Sequence, residues 1–327
     1  MRAVLTSPLC RVRPPTEPVP QPLLGSAAGE IFGQLVRMTD GPTHLPAKLA
    51  VSGHLGSTNP ALVVQQGAAC AQRLAEELEP ARHLDRLTDF AFRLPVYVIG
   101  GLLGFPPDRA PQLASWTGDF VRCLSAASTP EQIEVGKAAA THLGEAFRGL
   151  LGRAALDAVV ANRIGYLSQA YEATAGLIGN TIVALGRHDE ARDRVGSERG
   201  YLTAVIREVA RHDPAVQNTR RFLAGSGAVA GRDMADGDAV LVVIGAANRD
   251  PAANPDPARF DPMRRERVMF TFGLGAHACP GETIATIVAQ AGVEHLLSAG
   301  VDPRRLVETV RYRPSPNTRV PLFGPPG

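Results

Sequence analysis

Cysteine is scarce in this chain. Four of them, Cys10, Cys70, Cys123 and Cys279, are scattered through 327 residues. That is too sparse for a disulfide framework, and no CxxC pair suggests a structural zinc site. Lysine is rarer still, with Lys48 and Lys137 the only two among 34 basic residues. Acids and bases nearly cancel to a formal charge of +2, so bulk electrostatics points to neither nucleic acid nor an anionic membrane as partner. No apolar run approaches the roughly 20 residues of a membrane helix; the best stretches, 97–105 and 239–247, are far shorter. The opening MRAVLTSPLCRVRPP lacks the sustained apolar core and small-residue cleavage site of a signal peptide, which predicts a cytoplasmic protein. A hydrophobic content of 45% allows a sizeable core in one or two domains.

Proline is also missing where it would matter. The chain has 27, yet none lies between residues 131 and 213. That stretch is rich in Ala, Leu, Arg and Glu and reads as successive helices. Within residues 156–185, Ile164, Leu167, Tyr171, Thr174, Leu177 and Ile182 recur at helical spacing, and apolar residues on several sides predict a helix crossing the interior. Helical segments are also expected at 64–78 and 112–126. After Pro214 the texture changes: AVQNTRRFLA and, beyond the turn DGD, AVLVVI read as short strands, as does TRVPLF near the end. The fold class expected is mainly α with a minor β region (α+β).

One segment carries chemistry. FTFGLGAHACPGE, residues 270–282, sets Cys279 among glycines and directly before Pro280 and Gly281. Glycine permits close backbone approach and positive φ, and Pro280 suits the first position of a helix continuing as ETIATIVAQAGVEHLL. A sulfur at a helix N-terminus is favoured as thiolate. Three readings fit: a nucleophile, for which His277 is the nearby candidate base; a metal ligand; or a buried structural cysteine beside a tight turn.

The motifs around this segment resemble those of the cytochrome P450 family. FGLGAHACPG satisfies the FxxGxxxCxG signature through Phe272, Gly275, Cys279 and Gly281. REVAR supplies Glu208 and Arg211 at ExxR spacing, FDPMR supplies Arg264 as the third member of a Glu/Arg/Arg cluster, and ANRDP at 247–251 is a segment common in bacterial members. The resemblance spans nearly the whole chain as a single domain, 1–327, and is tightest over 200–282. It implies haem b (iron protoporphyrin IX) with Cys279 as the axial iron ligand, a thiolate that pushes electron density onto iron and favours O–O cleavage. Phe272 is then expected to shield the sulfur, with Gly275 and Gly281 letting the loop lie against the porphyrin. His44 and Lys48, on one face of a helix expected to begin near Pro46, match the family's propionate-binding His/Arg pair, with Lys in place of Arg. Arg221, or its neighbour Arg220, and His277 match the remaining propionate contacts.

On the oxygen-binding side the family pattern is an acid followed by threonine. With LIGN at 177–180 setting the register, Glu172 takes the acid position, Ala173 the alcohol position, and Thr174 falls one residue later. One residue rotates a side chain by about 100° around the helix, so Thr174 substitutes only if the helix is locally distorted, for instance by a π-bulge. Glu172 and Thr174 are the candidate catalytic residues; Glu172 reads equally as an interior carboxylate hydrogen-bonded to an opened helix. The family's usual first helix and leading β strands precede the part that AVLTSPLCRVRPP resembles, which predicts uncovered strand edges and apolar surface. Two function classes follow. One is a monooxygenase acting on a small organic or natural-product substrate, with a ferredoxin- or flavodoxin-type donor and an NAD(P)H reductase, or a variant running oxidative coupling or peroxide-driven chemistry. The other is a degenerate relative that binds haem without turnover.

Overall fold

The computed structural model describes residues 1–324. Its amino-terminal part runs α1 (Arg2–Thr6), β1 (Cys10–Arg11), α2 (Ala27–Gln34), α3 (His44–Gly56), α4 (Pro60–Leu78), α5 (Leu87–Leu102), α6 (Ala110–Cys123) and α7 (Pro130–Leu151). There follow α8 (Ala158–Arg187), α9 (Asp189–Ser197), α10 (Tyr201–His212), β2 (Asn218–Leu223), β3 (Gly227–Val229), β4 (Arg232–Met234) and β5 (Ala239–Val243). The remainder is α11 (Ile244–Ala247), α12 (Glu282–Ser298), α13 (Arg304–Val307), β6 (Arg311–Tyr312) and β7 (Pro321–Leu322). The mainly helical α+β expectation describes it.

Local chemistry starts and stops these helices. Thr129 and Gln132 form a reciprocal capping box ahead of α7, satisfying backbone N–H groups that a helix start leaves unpaired. Asp157 accepts from Val159 N and Val160 N, both at 3.0 Å, to open α8. At 30 residues α8 is the long central rod, in contact with α2, α5, α6, α7, α10 and α12. Gly292 of α12 marks one close crossing: a methyl group there would lie 2.7 Å from Leu94 Cδ2 of α5 and 3.4 Å from Ile178 Cδ1 of α8. One large apolar core joins these helices, with Phe90, Leu94, Leu113, Ile164, Leu167, Ile178, Val205 and Val293 fully buried.

The β structure is small and antiparallel. β1, β2 and β5 form a sheet in that order, with Cys10 opposite Leu223 and Arg221 opposite Val240. Among the described residues β5 has no partner on its other side, and Leu241 and Val243 stand exposed on one face. The amino-terminal α1 packs Leu5 into a satellite cluster with Val242, Ile244 and Phe270, directly beneath the cysteine loop.

Candidate functional site: a thiol loop ringed by cations

The loop begins at Phe270 and is suspended from α10. Asn248 ties the two together: its Oδ1 accepts from Phe270 N at 2.8 Å, and its Nδ2 donates to Thr271 Oγ1 at 2.8 Å and Ala210 O at 3.3 Å. Beneath lies a buried ionic cluster. Arg211, with no exposed surface, gives Nε and Nη2 to the equally buried Glu208 carboxylate at 2.6–3.1 Å and donates to the carbonyls of Asn248, Pro257 and Arg259. Arg264, the expected third member, stands 3.7 Å from Glu208 and spends its N–H groups on the carbonyls of Pro255, Asp256 and Arg259. The nearer cation is Arg267, whose Nε meets Glu208 Oε2 at 3.0 Å, and no motif announced it.

The loop closes on itself where the Cys279 N–H donates to Phe272 O at 2.7 Å. Gly273 and Gly275 adopt φ of 71° and 64°, left-handed values that a side chain strains. The helix start expected at Pro280 is displaced: α12 begins at Glu282 with Gly281 as its cap, because the chain turns once more to bring the Gly281 N–H to 3.4 Å from Cys279 Sγ. A second expectation is corrected with it. Burial pushes the Cys279 thiol up, and the Gly281 N–H and Lys48 ammonium only partly offset this. The thiol is nevertheless exposed by area. Its sulfur is therefore both accessible and held by its surroundings toward the protonated form.

Around the loop stand the basic groups. His44 bridges two elements, with Nδ1 3.2 Å from Val36 O and Nε2 3.1 Å from Ala276 O. Lys48 donates to Ala278 O, and burial lowers its ammonium below the usual value. The helix holding both begins at His44, two residues before the expected Pro46. His277 lies with its ring centroid 4.4 Å from that of His44, tilted by 45°, and pairs with Asp40 at 3.1 Å. Burial alone would raise Asp40, but hydrogen bonds from His277 and the Val12 N–H hold it below its ordinary value. Of the two adjacent arginines, Arg221 turns inward and is 6% exposed, whereas Arg220 faces out. Asp40 was invisible in the sequence because its partner lies 237 residues away.

Across α8 the burial pattern breaks once. Residues 164–168 and 174–183 are buried, but Gln169 is exposed and residues 170–173 are half-buried. This less buried stretch is a window in the packing of the helix. Ala173 lies about 40° from Gln169 around the helix axis and Thr174 about 140° away. Thr174 is 2% exposed, and α8 stays a regular α-helix through 172–174, so the local distortion that would let Thr174 stand in for the alcohol is not there. Glu172 is neither free nor bonded to an opened helix. It accepts from Arg313 Nη2 at 2.5 Å and Thr318 Oγ1 at 3.3 Å, which fastens α8 to the loop after β6.

An accessible thiol in a glycine-shaped loop with basic side chains nearby is chemically suited to an anionic, metal-centred cofactor. The Cytochrome P450 family model matches residues 172–299. Cytochrome P450 107B1 of Saccharopolyspora erythraea is 30% identical over 251 residues, covering 71% of this chain and 61% of the relative. The 6-deoxyerythronolide B hydroxylase of the same organism is 27% identical over 300 residues, covering 83% and 73%. Among solved structures, P450BioI in complex with hexadec-9Z-enoic acid ligated acyl carrier protein superposes with a TM-score of 0.82 at 21% identity, covering 98% of this chain and 90% of that one. The chain belongs to the cytochrome P450 family. It spans about three fifths of the length of several curated relatives it matches.

Haem is the cofactor this family implies, and the residues fit it. An iron ligand needs an accessible sulfur, which Cys279 offers. Two propionates need buried or half-buried basic groups, which His44, Lys48, Arg221 and His277 offer, with the Asp40 carboxylate paired to His277.

Proposed function

We propose that this chain is a haem-thiolate monooxygenase, which converts a substrate C–H, O2, two electrons and two protons into C–OH and water. Bound haem, as haem b, would supply the centre at which O2 is reduced and split, helped by electron push from a thiolate. Cys279 would hold the iron through its sulfur. Its sulfur is tempered by the Gly281 N–H, a contact of the kind that tunes a metal centre. His44, Lys48, Arg221 and His277 hold the propionates, and Arg211 with Glu208 keeps the loop in place through Asn248. The window of α8 bounds the reaction space. There Gln169 gives its Nε2 to Gly165 O at 2.9 Å, leaving Oε1 to order a water where an alcohol is missing.

Substrate and donor follow from the same reading. A small organic or natural-product molecule is in keeping with relatives named for macrolide hydroxylation. Electrons would come from a ferredoxin- or flavodoxin-type protein served by an NAD(P)H reductase. No helix among the described residues is long and apolar enough to cross a membrane, so a cytoplasmic setting with diffusible partners suits the chain.

The observation that carries the proposal is the exposed thiol in its cation-ringed loop. Haem-loaded protein, reduced under carbon monoxide, should show the red-shifted Soret band of a thiolate-ligated ferrous carbonyl, and Cys279→Ser should abolish it. A wild-type spectrum with imidazole as axial donor would end the reading. Ala173 favours a second reading, in which the same pocket runs on peroxide, performs oxidative coupling or binds without turnover. Turnover with peroxide but not with a reductase pair would select peroxide-driven chemistry, and none with either would select the binder.

A further inference from the structure

A cleft of about 410 Å³ opens where α8 and α10 end and the segments around Arg249 and Arg319 pass by. None of Cys279, His44, Lys48, Arg221 or His277 lines it. Its size falls within the roughly 300–1,000 Å³ usual for small-ligand pockets. Its polar lining is mostly basic. Arg187 is the last residue of α8, His212 the last of α10, Arg249 follows closely on α11, and Arg319 precedes β7 by one residue. Asp213 is the one acid among the lining residues.

The cations are held in different ways. Arg249 is locked in place, its Nε donating to His212 O at 2.7 Å and its Nη2 to His212 Nδ1 at 3.0 Å. His212 accepts that bond only as the neutral ring, with its Nε2 proton given to Ala258 O at 2.9 Å. Arg319 lies over the Tyr312 ring at 3.6 Å and pairs with Asp213 at 2.9 Å. Arg187 is exposed and, among the described residues, makes no hydrogen bond or ion pair. Burial lowers Arg249 from its ordinary value, Asp213 opposes the shift, and Arg211 and Arg319 add to it, so like charges press on one another here. Two neutral features complete the walls. The ring of His188 stacks on Phe260 with centroids 4.4 Å apart and planes 9° from parallel. Asn180, 1% exposed, gives its Nδ2 to the carbonyls of Asp213 and Arg319 at 2.9 and 3.2 Å, and its Oδ1 receives no hydrogen bond. Burial and then Arg187 lower His188, which leaves it neutral at pH 7 like His212. Three guanidiniums against one carboxylate therefore leave two positive charges on the lining. A phosphate monoester carries about −1.5 to −2 at that pH, on three strong acceptor oxygens.

We propose that this cleft binds the phosphate group of a small phosphorylated molecule, with Arg187 and Arg249 donating to the phosphate oxygens and the organic part lying against His188 and Phe260. Arg249 is presented by His212, while Arg187 is free to swing onto the ligand. Guanidinium and phosphate match in charge and in the geometry of their paired hydrogen bonds. The site stands apart from the thiol loop and its basic groups, and it does not depend on the haem-thiolate reading.

Phenyl phosphate is the probe, titrated by calorimetry at fixed ionic strength and neutral pH into the full chain, with haem supplied so that the basic groups near Cys279 are occupied. It should bind saturably and about tenfold or more tighter than benzenesulfonate, which offers a single charge. Arg187→Gln should weaken phenyl phosphate by about ten- to a hundredfold, the range for a hydrogen bond to a charged group, and Arg249→Gln should do the same. Arg187 bonds to nothing within the described chain, so its variant keeps the fold, which circular dichroism checks. Arg82→Gln removes an exposed cation that lines no part of the cleft and should bind the probe as the parent does. Absence of saturable binding, equal affinity for the sulfonate, or an affinity unchanged in Arg187→Gln overturns the proposal. An equal loss in Arg82→Gln also overturns it, by reducing the effect to net charge.

Discussion

Replacing Arg211 with methionine keeps the length of the side chain but removes a cation with no exposed surface. The Glu208 carboxylate would retain Arg267 Nε and Asp261 N, both at 3.0 Å. It would lose its closest contact, Nη2 at 2.6 Å, and both Nε contacts. The carbonyls of Asn248, Pro257 and Arg259 would lose a donor at the same time. Breaking a buried pair from one side costs about 3–5 kcal/mol. Against a typical total of about 5–15 kcal/mol that is a third or more of the stability. Equilibrium denaturation in urea, followed by circular dichroism, measures it, and an unchanged slope would keep the comparison two-state. The loop hangs from α10 through Asn248, so haem content should fall in parallel. Arg194→Met, which removes a surface pair to Glu198, is the control and should be neutral. A loss below about 1 kcal/mol for Arg211→Met, or full haem retention, would refute the claim that this cluster carries the loop.

Three further outcomes are expected. Gly273→Ala forces a side chain into φ of 71° with its Cβ 3.0 Å from His277 O, and should cost about 1–3 kcal/mol, seen as a lower denaturation midpoint and weaker haem retention. Burial raises Cys70 and Cys123 from an ordinary 9.0 to about 11. The folded chain therefore keeps protons that the unfolded chain has released, so their contribution is full below about pH 9 and is lost as pH rises toward 11; the double alanine variant should show a flatter decline across that window, and an identical decline would discount the effect. Ala173→Thr puts a hydroxyl on the α8 window and should lower the peroxide released per NAD(P)H consumed; an unchanged ratio would mean that Ala173 does not face the reaction space.

What could be read from the chain was what is encoded locally. The long helix around 156–185, the strands flanking DGD and the FxxGxxxCxG, ExxR and FDPxR elements depend on spacing within a few turns, and they fall where expected. The register that puts Ala173 rather than Thr174 on the open face also followed from counting residues. What escaped was made by distance. Asp40 meets His277, Arg267 meets Glu208, and Glu172 meets Arg313 only because tertiary packing brings segments 59 to 237 residues apart into contact. The burial of the thiol also escaped, because a helix terminus can be seen in a sequence, whereas desolvation cannot.

The bond from Cys279 N to Phe272 O has a bearing on assembly. It joins the ends of a short segment with the polypeptide's own atoms, and Gly273 and Gly275 already hold the backbone conformations that this closure demands. The cost in entropy of shaping the sulfur's cradle is thus met by the polypeptide's own backbone bond and glycine conformations.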